Sequence, residues 1–217
     1  MMPLERETAW SRRYAHPDGK RVTINSRFED GSASLTLPQL RAGWIHWSES
    51  EKIDLCQNFS WLSKQADFPE MIRFIMREGS WQVWAAVALQ VATQLPQEEA
   101  FMLLSSALQA TPLGSRSNVV QALARTRHPL VPDLIGRVLL ELRSSAEFLS
   151  DDPFVNWIAL SATWCIEHLL DLGARPEALE DAVRSLSDHP CSENRARCAA
   201  ILGDSYPWLR AHVWGPG

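Results

Sequence analysis

Two periods of hydrophobicity divide the chain. Over about residues 8–37 apolar side chains fall on alternate positions. Val22, Ile24 and Phe28 do so with Ser26 in RVTINSRF, followed by Ala33, Leu35 and Leu37 before Pro38, the spacing of half-buried strands. The intervening segments have turn chemistry. In HPDGK (16–20) Pro17 presets φ, Asp18 can bond back to its own backbone and Gly19 tolerates positive φ, and EDGS (29–32) is a second turn. Trp10, Arg12 and Tyr14 supply a strand before the first turn. The pattern predicts a three-stranded meander, which is marginal alone and must lean an apolar face on the first helices.

From Ser48 the period becomes helical. Ser48 and Glu51 have the spacing of a capping box, and Ile53, Cys56, Phe59 or Ser60, and Leu62 or Ser63 trace one face of a helix over about 49–64. Asp67 and Pro69 open a second helix carrying Met71, Ile72, Phe74, Ile75 and Met76. Gly79 ends it, and Ser80 starts a third that runs to Leu95. Further helices are expected over 97–110, 115–127, 130–145, 152–172, 176–187 and 192–203, with a final turn at 206–211. Their boundaries are Pro112 with Gly114, His128-Pro129, Ser150, Gly173 with Pro176, and His189-Pro190. Short connections make consecutive helices antiparallel neighbours.

Taken in pairs, these helices form four hairpin units of irregular length. FPEMIRFIMREGSWQVWAAVALQVATQL (68–95) resembles a HEAT repeat, with a proline early in the first helix, a short turn and small residues in the second. ALEDAVRSLSDHPCSENRARCAAILG (178–203) is similar, with Asp188 in the turn and Arg195 ahead of Cys198, Ala199, Ala200 and Leu202. Trp84 stands where that family often has arginine. The resemblance covers residues 67–210. It implies a mainly α fold of stacked antiparallel helix pairs, a HEAT-like α-solenoid or compact helical repeat. The expected domains are a β-rich segment at 1–47 and a helical repeat domain at 48–217. Ala85, Ala86, Ala88, Ala92, Ala122, Ala124, Ala159, Ala162, Ala199 and Ala200 would let inner helices approach neighbours on two sides. HEAT-like proteins are scaffolds whose concave side binds a partner, usually a protein, and some act on DNA as alkylpurine glycosylases.

Composition narrows the functional classes. The net charge of −5 argues against a phosphate-tracking groove, so nucleic acid is not the expected partner. The N-terminus MMPLERETAWSRRYAH lacks the apolar core of an export signal, and VWAAVALQVA (83–92) is too short to span a bilayer, so no membrane association and a cytoplasmic location are expected. Cys56, Cys165, Cys191 and Cys198 are too scattered for a disulfide framework. Ten tryptophans against two tyrosines is the compositional oddity. Most tryptophans are expected in the core, with two exposed. At the C-terminus, Trp208 and Leu209 are expected to cover the last apolar layer.

Candidate chemistry is sparse. Cys165 and His168 share a helix face, but His189, Cys191 and Cys198 do not complete a standard zinc spacing, so no metal and no cofactor are expected. Trp81, Trp84, Trp157 and Trp164 could stack bases, and Asp151 or Asp152 could polarise a sugar. Seven-residue spacing of Trp157 and Trp164 is nevertheless the stripe of a packed helix face. Glu167, His168 and Asp171 read as a solvated turn, and no nucleophile elbow or phosphate loop is present. The function expected is a non-enzymatic protein-binding module, a bacterial immunity or inhibitor protein occluding a basic partner. A HEAT-like DNA glycosylase or lyase and an assembly adaptor are the alternatives. The expected contact residues are Glu147, Asp151, Asp152, Trp81 and Trp157.

Overall fold

Helix signals in the sequence are strong enough that most helices lie within two residues of their expected ends. The computed structural model describes residues 13–15, 21–23, 35–57, 65–150 and 157–215, and the described chain is mainly helical. Its contacts separate two compact units, 1–95 and 96–217.

In the first unit two short strands, β1 (Arg13–Ala15) and β2 (Arg21–Thr23), pair antiparallel with Tyr14 opposite Val22. Residues 24–34, which carry the rest of the expected second strand, the second turn and the start of the third strand, lie outside the described residues. The expected end of the third strand is a correction: Leu37 opens helix α1 (Leu37–Trp44) rather than closing a strand. The physical reason is a capping box. The Thr36 N–H donates to Gln39 Oε1 at 2.8 Å, the Gln39 N–H points back at Thr36 Oγ1, and Pro38 sits in the first turn, where its missing N–H costs nothing. Leu40 and Trp44, one turn apart, are the buried face.

Helix α2 (Glu49–Gln57) starts with the expected box, the Ser48 N–H and hydroxyl donating to Glu51 at 2.8 and 2.7 Å. Its expected continuation over 58–64 lies outside the described residues. In α3 (Phe68–Glu78), Phe68, Met71, Ile72 and Ile75 are wholly buried at helical spacing, and α3 packs on both α1 and α4 (Trp81–Gln94). Asp67 does not cap its own helix. Its carboxylate instead accepts the Leu37 N–H at 3.0 Å, tying the start of α1 to the start of α3. Gly79 turns α3 into α4 in two residues. A Cβ there would lie 2.7 Å from the Ile75 carbonyl oxygen and 3.0 Å from Val83 Cγ1 on α4, so a larger residue would have to shift the backbone of the turn.

The second unit holds α5 (Gln97–Ala110), α6 (Ser117–Thr126), α7 (Val131–Ser144), α8 (Trp157–Asp171), α9 (Pro176–Ser187), α10 (Ser192–Leu202) and α11 (Pro207–Trp214). Consecutive pairs pack as hairpins: α5 on α6, α7 on α8, α9 on α10. The second members also touch one another, α8 lying against both α6 and α10. A helix with neighbours on several sides must be apolar or small nearly all round. The α8 sequence supplies that, with Ile158, Ala159, Leu160, Ser161, Ala162, Thr163, Cys165, Ile166 and Leu169 all buried. Each large apolar side chain so buried contributes about 1.5–3 kcal/mol. Ala88, Ala122, Ala159, Ala162 and Ala199 are buried as expected of spacers between helices, whereas Ala200 faces solvent.

Two helix ends contrast. After α8, Gly173 takes φ 93° and its N–H and that of Ala174 bond back to Leu170 and Leu169, the expected glycine stop. After α6 the left-handed position falls to Arg127 at φ 51°, a residue with a Cβ where glycine would cost less. At the C-terminus α11 packs on α9 and α10 with Leu209 fully buried, and the Tyr206 hydroxyl donates to the Pro176 carbonyl at 2.8 Å.

Candidate functional site

Two clefts open beside α8. The first is a broad groove of about 690 Å³ lined by Leu113, Gly114, Ser115, Ser145, Glu147, Trp157 and Ile158. It therefore brings together two of the expected contact residues, Glu147 and Trp157. Trp157 opens α8 and is 55% exposed, a large cost in unburied apolar surface unless something covers it. Glu147 stands on a short 3₁₀ turn, Ala146–Leu149, whose geometry Ser145 sets by accepting the Glu147 N–H at 3.2 Å. The Ser145 hydroxyl donates to the Glu147 carboxylate. That bond, together with the residue's own backbone N–H, holds its pKa below the usual glutamate value.

The turn under Glu147 is anchored from behind. Phe148 is buried, its ring meets His189 edge to face at 5.8 Å, and His189 Nε2 lies 2.5 Å from the Phe148 carbonyl oxygen. Because the Cys191 N–H donates to His189 Nδ1 at 3.1 Å, Nε2 carries the proton and donates to Phe148. Arg195 Nη1 donates to the carbonyls of His189 and Pro190, closing the α9–α10 corner. Both ring nitrogens of His189 are thus occupied, and a residue considered as a metal ligand is a clamp for the groove wall.

The second cleft, about 220 Å³, lies between α6 and α8 and is lined by Ser117, Asn118, Gln121, Trp164, Glu167 and His168. Burial, then repulsion from Asp171 four residues on, raises the Glu167 pKa above the usual carboxyl range. Burial also lowers the His168 pKa, Arg125 adding to the shift and Asp171 opposing it. Of the three residues read from the sequence as a solvated turn, Asp171 is exposed, while Glu167 and His168 are half-buried along this cleft. Ser117, Asn118 and Gln121 carried no signal in the sequence, since polar residues at the start of a helix are ordinary there.

The remaining expected residues are placed as follows. Asp151 and Asp152 lie outside the described residues. Trp81 opens α4 in the first unit and is half-buried. Among the described tryptophans Trp44 alone is fully buried, Trp157 and Trp214 are exposed, and the others are half-buried. Cys165 and Cys198 are buried thiols whose pKa values burial pushes up to about 12, so thiolate chemistry is disfavoured at both. No three His, Cys, Asp or Glu residues among those described are grouped as a metal site would require. No described helix is long and apolar enough to cross a membrane. Comparison of the chain with protein-family models, with curated proteins and with solved structures finds no match.

Proposed function

We propose that this chain is a non-enzymatic, HEAT-like protein-binding module, and that it works as a cytoplasmic immunity or inhibitor protein that occludes a basic partner. The observation that carries this reading is Trp157, half-exposed on the wall of an open groove beside the fixed carboxylate of Glu147. Tryptophan is enriched among the few residues that carry most of the energy of protein interfaces, because it buries a large rigid surface at small entropic cost. Leu149, 64% exposed on the same 3₁₀ turn as Glu147, adds apolar surface of the same kind.

Charge supplies the second half of the argument. The Ser145 hydroxyl holds the Glu147 pKa below its ordinary value, so this carboxylate is ionised at neutral pH, and the chain as a whole carries −5. A net negative surface speeds encounter with a basic protein and disfavours nucleic acid. Asp151 and Asp152, also proposed as contacts, follow Glu147 closely in sequence and lie outside the described residues.

The test is an affinity capture from lysate of the source organism across a salt series, with bound species identified by mass spectrometry. A single stoichiometric basic protein, released as salt rises, is the expected result. Nucleic acid without a protein would replace this reading with the DNA-directed one. A neutral or acidic partner insensitive to salt would replace it with the assembly adaptor.

A further inference from the structure

Six residues line the cleft between α6 and α8, and one of them, Trp164, carries an indole. The other five are Ser117, Asn118, Gln121, Glu167 and His168. None of these five forms a hydrogen bond with any described residue. Surface side chains can satisfy themselves with water. Five polar residues lining one small cleft beside a tryptophan are also what a ligand site offers, in which a few placed polar groups fix orientation.

We propose that this cleft receives a guanidinium group, stacked on the Trp164 wall, with its N–H donors shared among Glu167, His168, Gln121, Asn118 and Ser117. A guanidinium presents five donors in one plane and no acceptor. The cleft offers the complement: a carboxylate, two amide oxygens, a hydroxyl oxygen and a ring nitrogen that accepts while the imidazole is neutral. Its planar face suits an indole, the best of the aromatic rings for a cation. The volume of about 220 Å³ equals roughly seven water molecules at about 30 Å³ each. That accommodates the guanidinium and the end of its stem, not a folded segment.

Charge in and around the cleft favours a cation. Glu167 and Asp171 are two carboxylates, and Arg125, which acts on His168, is one opposing guanidinium. The positive N-terminal end of α6 at Ser117 and Asn118 works against a cation. Glu167 and His168 lie in the last turns of α8, whose negative end offsets it. Glu167 bears a charge that burial and Asp171 penalise and that no described cation bonds; an incoming guanidinium removes that penalty. The inference does not depend on the groove at Trp157, and its test separates the two.

The full chain is titrated, by calorimetry and by NMR, with N-acetyl-arginine amide, N-acetyl-citrulline amide, N-acetyl-lysine amide and butylguanidinium. Citrulline keeps the shape of arginine without its charge. Saturable binding of capped arginine, about tenfold tighter than capped citrulline and tighter than capped lysine, is expected. Glu167→Gln should lose about tenfold in that affinity, while Trp157→Ala leaves it unchanged. The urea midpoint of Glu167→Gln, which removes a penalised charge, should equal or exceed that of the wild type, so lost binding cannot be ascribed to unfolding. Capped arginine binding more tightly than butylguanidinium points to a protein-borne arginine, and the reverse order to a small guanidine compound. Equal binding of arginine and citrulline, equal binding of arginine and lysine, or no saturable binding of arginine would each overturn the proposal.

Discussion

Trp157 and Trp164 lie seven residues apart on one helix, yet they serve different surroundings. Trp157 stands at the mouth of a broad groove among Leu113, Ile158 and an exposed, hydrogen-bonded Glu147. Trp164 walls a smaller, polar cleft beside Glu167, whose charge burial disfavours. Spacing places two side chains along one helix; the elements packed on either side decide what each of them meets. Near Trp157 those elements are the 3₁₀ turns Leu113–Ser115 and Ala146–Leu149, and near Trp164 the polar first turns of α6.

The largest test of this comparison removes the helix core that the two clefts share. Ile166→Ala, at a wholly buried position of α8, is expected to cost about 2–5 kcal/mol in urea unfolding and to weaken binding at both clefts together. A loss under 1 kcal/mol would mean α8 is not the common support. Next comes the groove alone. Trp157→Ala is expected to cost about 2 kcal/mol of partner affinity, roughly thirtyfold, while Trp164→Ala changes it less than twofold, both read by interferometry on the captured partner. Equal losses from the two variants would erase the distinction between the clefts. Glu147→Lys should act more weakly, slowing association several-fold at low salt and flattening its salt dependence, as a rim charge does. Stopped-flow rates unchanged by this reversal would remove Glu147 from the steering surface.

The smallest expected effect is a pH dependence, and it belongs to the polar cleft. His168 in the folded chain titrates below its ordinary value of 6.5, so on acidification the unfolded chain takes up this proton first. The stability tied to the neutral ring is present above about pH 6.5 and is lost as pH falls through the lowered folded value. Glu167 has the opposite sign. Its folded value is raised above 4.5, so its contribution is full below that value and is lost as pH rises through the folded one. The urea midpoint of His168→Gln should therefore fall less than that of the wild type between pH 7.5 and 5.5. A parallel fall in both proteins would place His168 in solvent.

Much of this architecture was legible in the residues. Caps and stops located α3, α5 and α9 to the residue, because Pro69, Gly79, Pro112, Gly173 and Pro176 act through local geometry that packing does not override. Helix α1 escapes a reading by periodicity because the alternating run through Leu35 and Leu37 passes directly into the helical spacing of Leu37, Leu40 and Trp44. The Thr36–Gln39 box was the signal that could have separated the two periods. Glu147 and Trp157 are legible in the sequence as charge and aromatic surface, but not as walls of one groove. That depends on the α9–α10 corner reaching back through His189 to hold Phe148, and no local pattern encodes such a contact. The α6–α8 cleft was illegible for the same reason, since Asn118 and Gln121 acquire meaning only once α8 lies beside them.

The measurement that bears most directly on the central claim is a parallel affinity capture with wild type, Trp157→Ala and Trp164→Ala, each shown to be folded by its unfolding curve. The account predicts one basic protein retained by wild type and by Trp164→Ala, lost with Trp157→Ala and released by salt. Retention of the same partner by Trp157→Ala at undiminished yield, or recovery of nucleic acid alone, would contradict it.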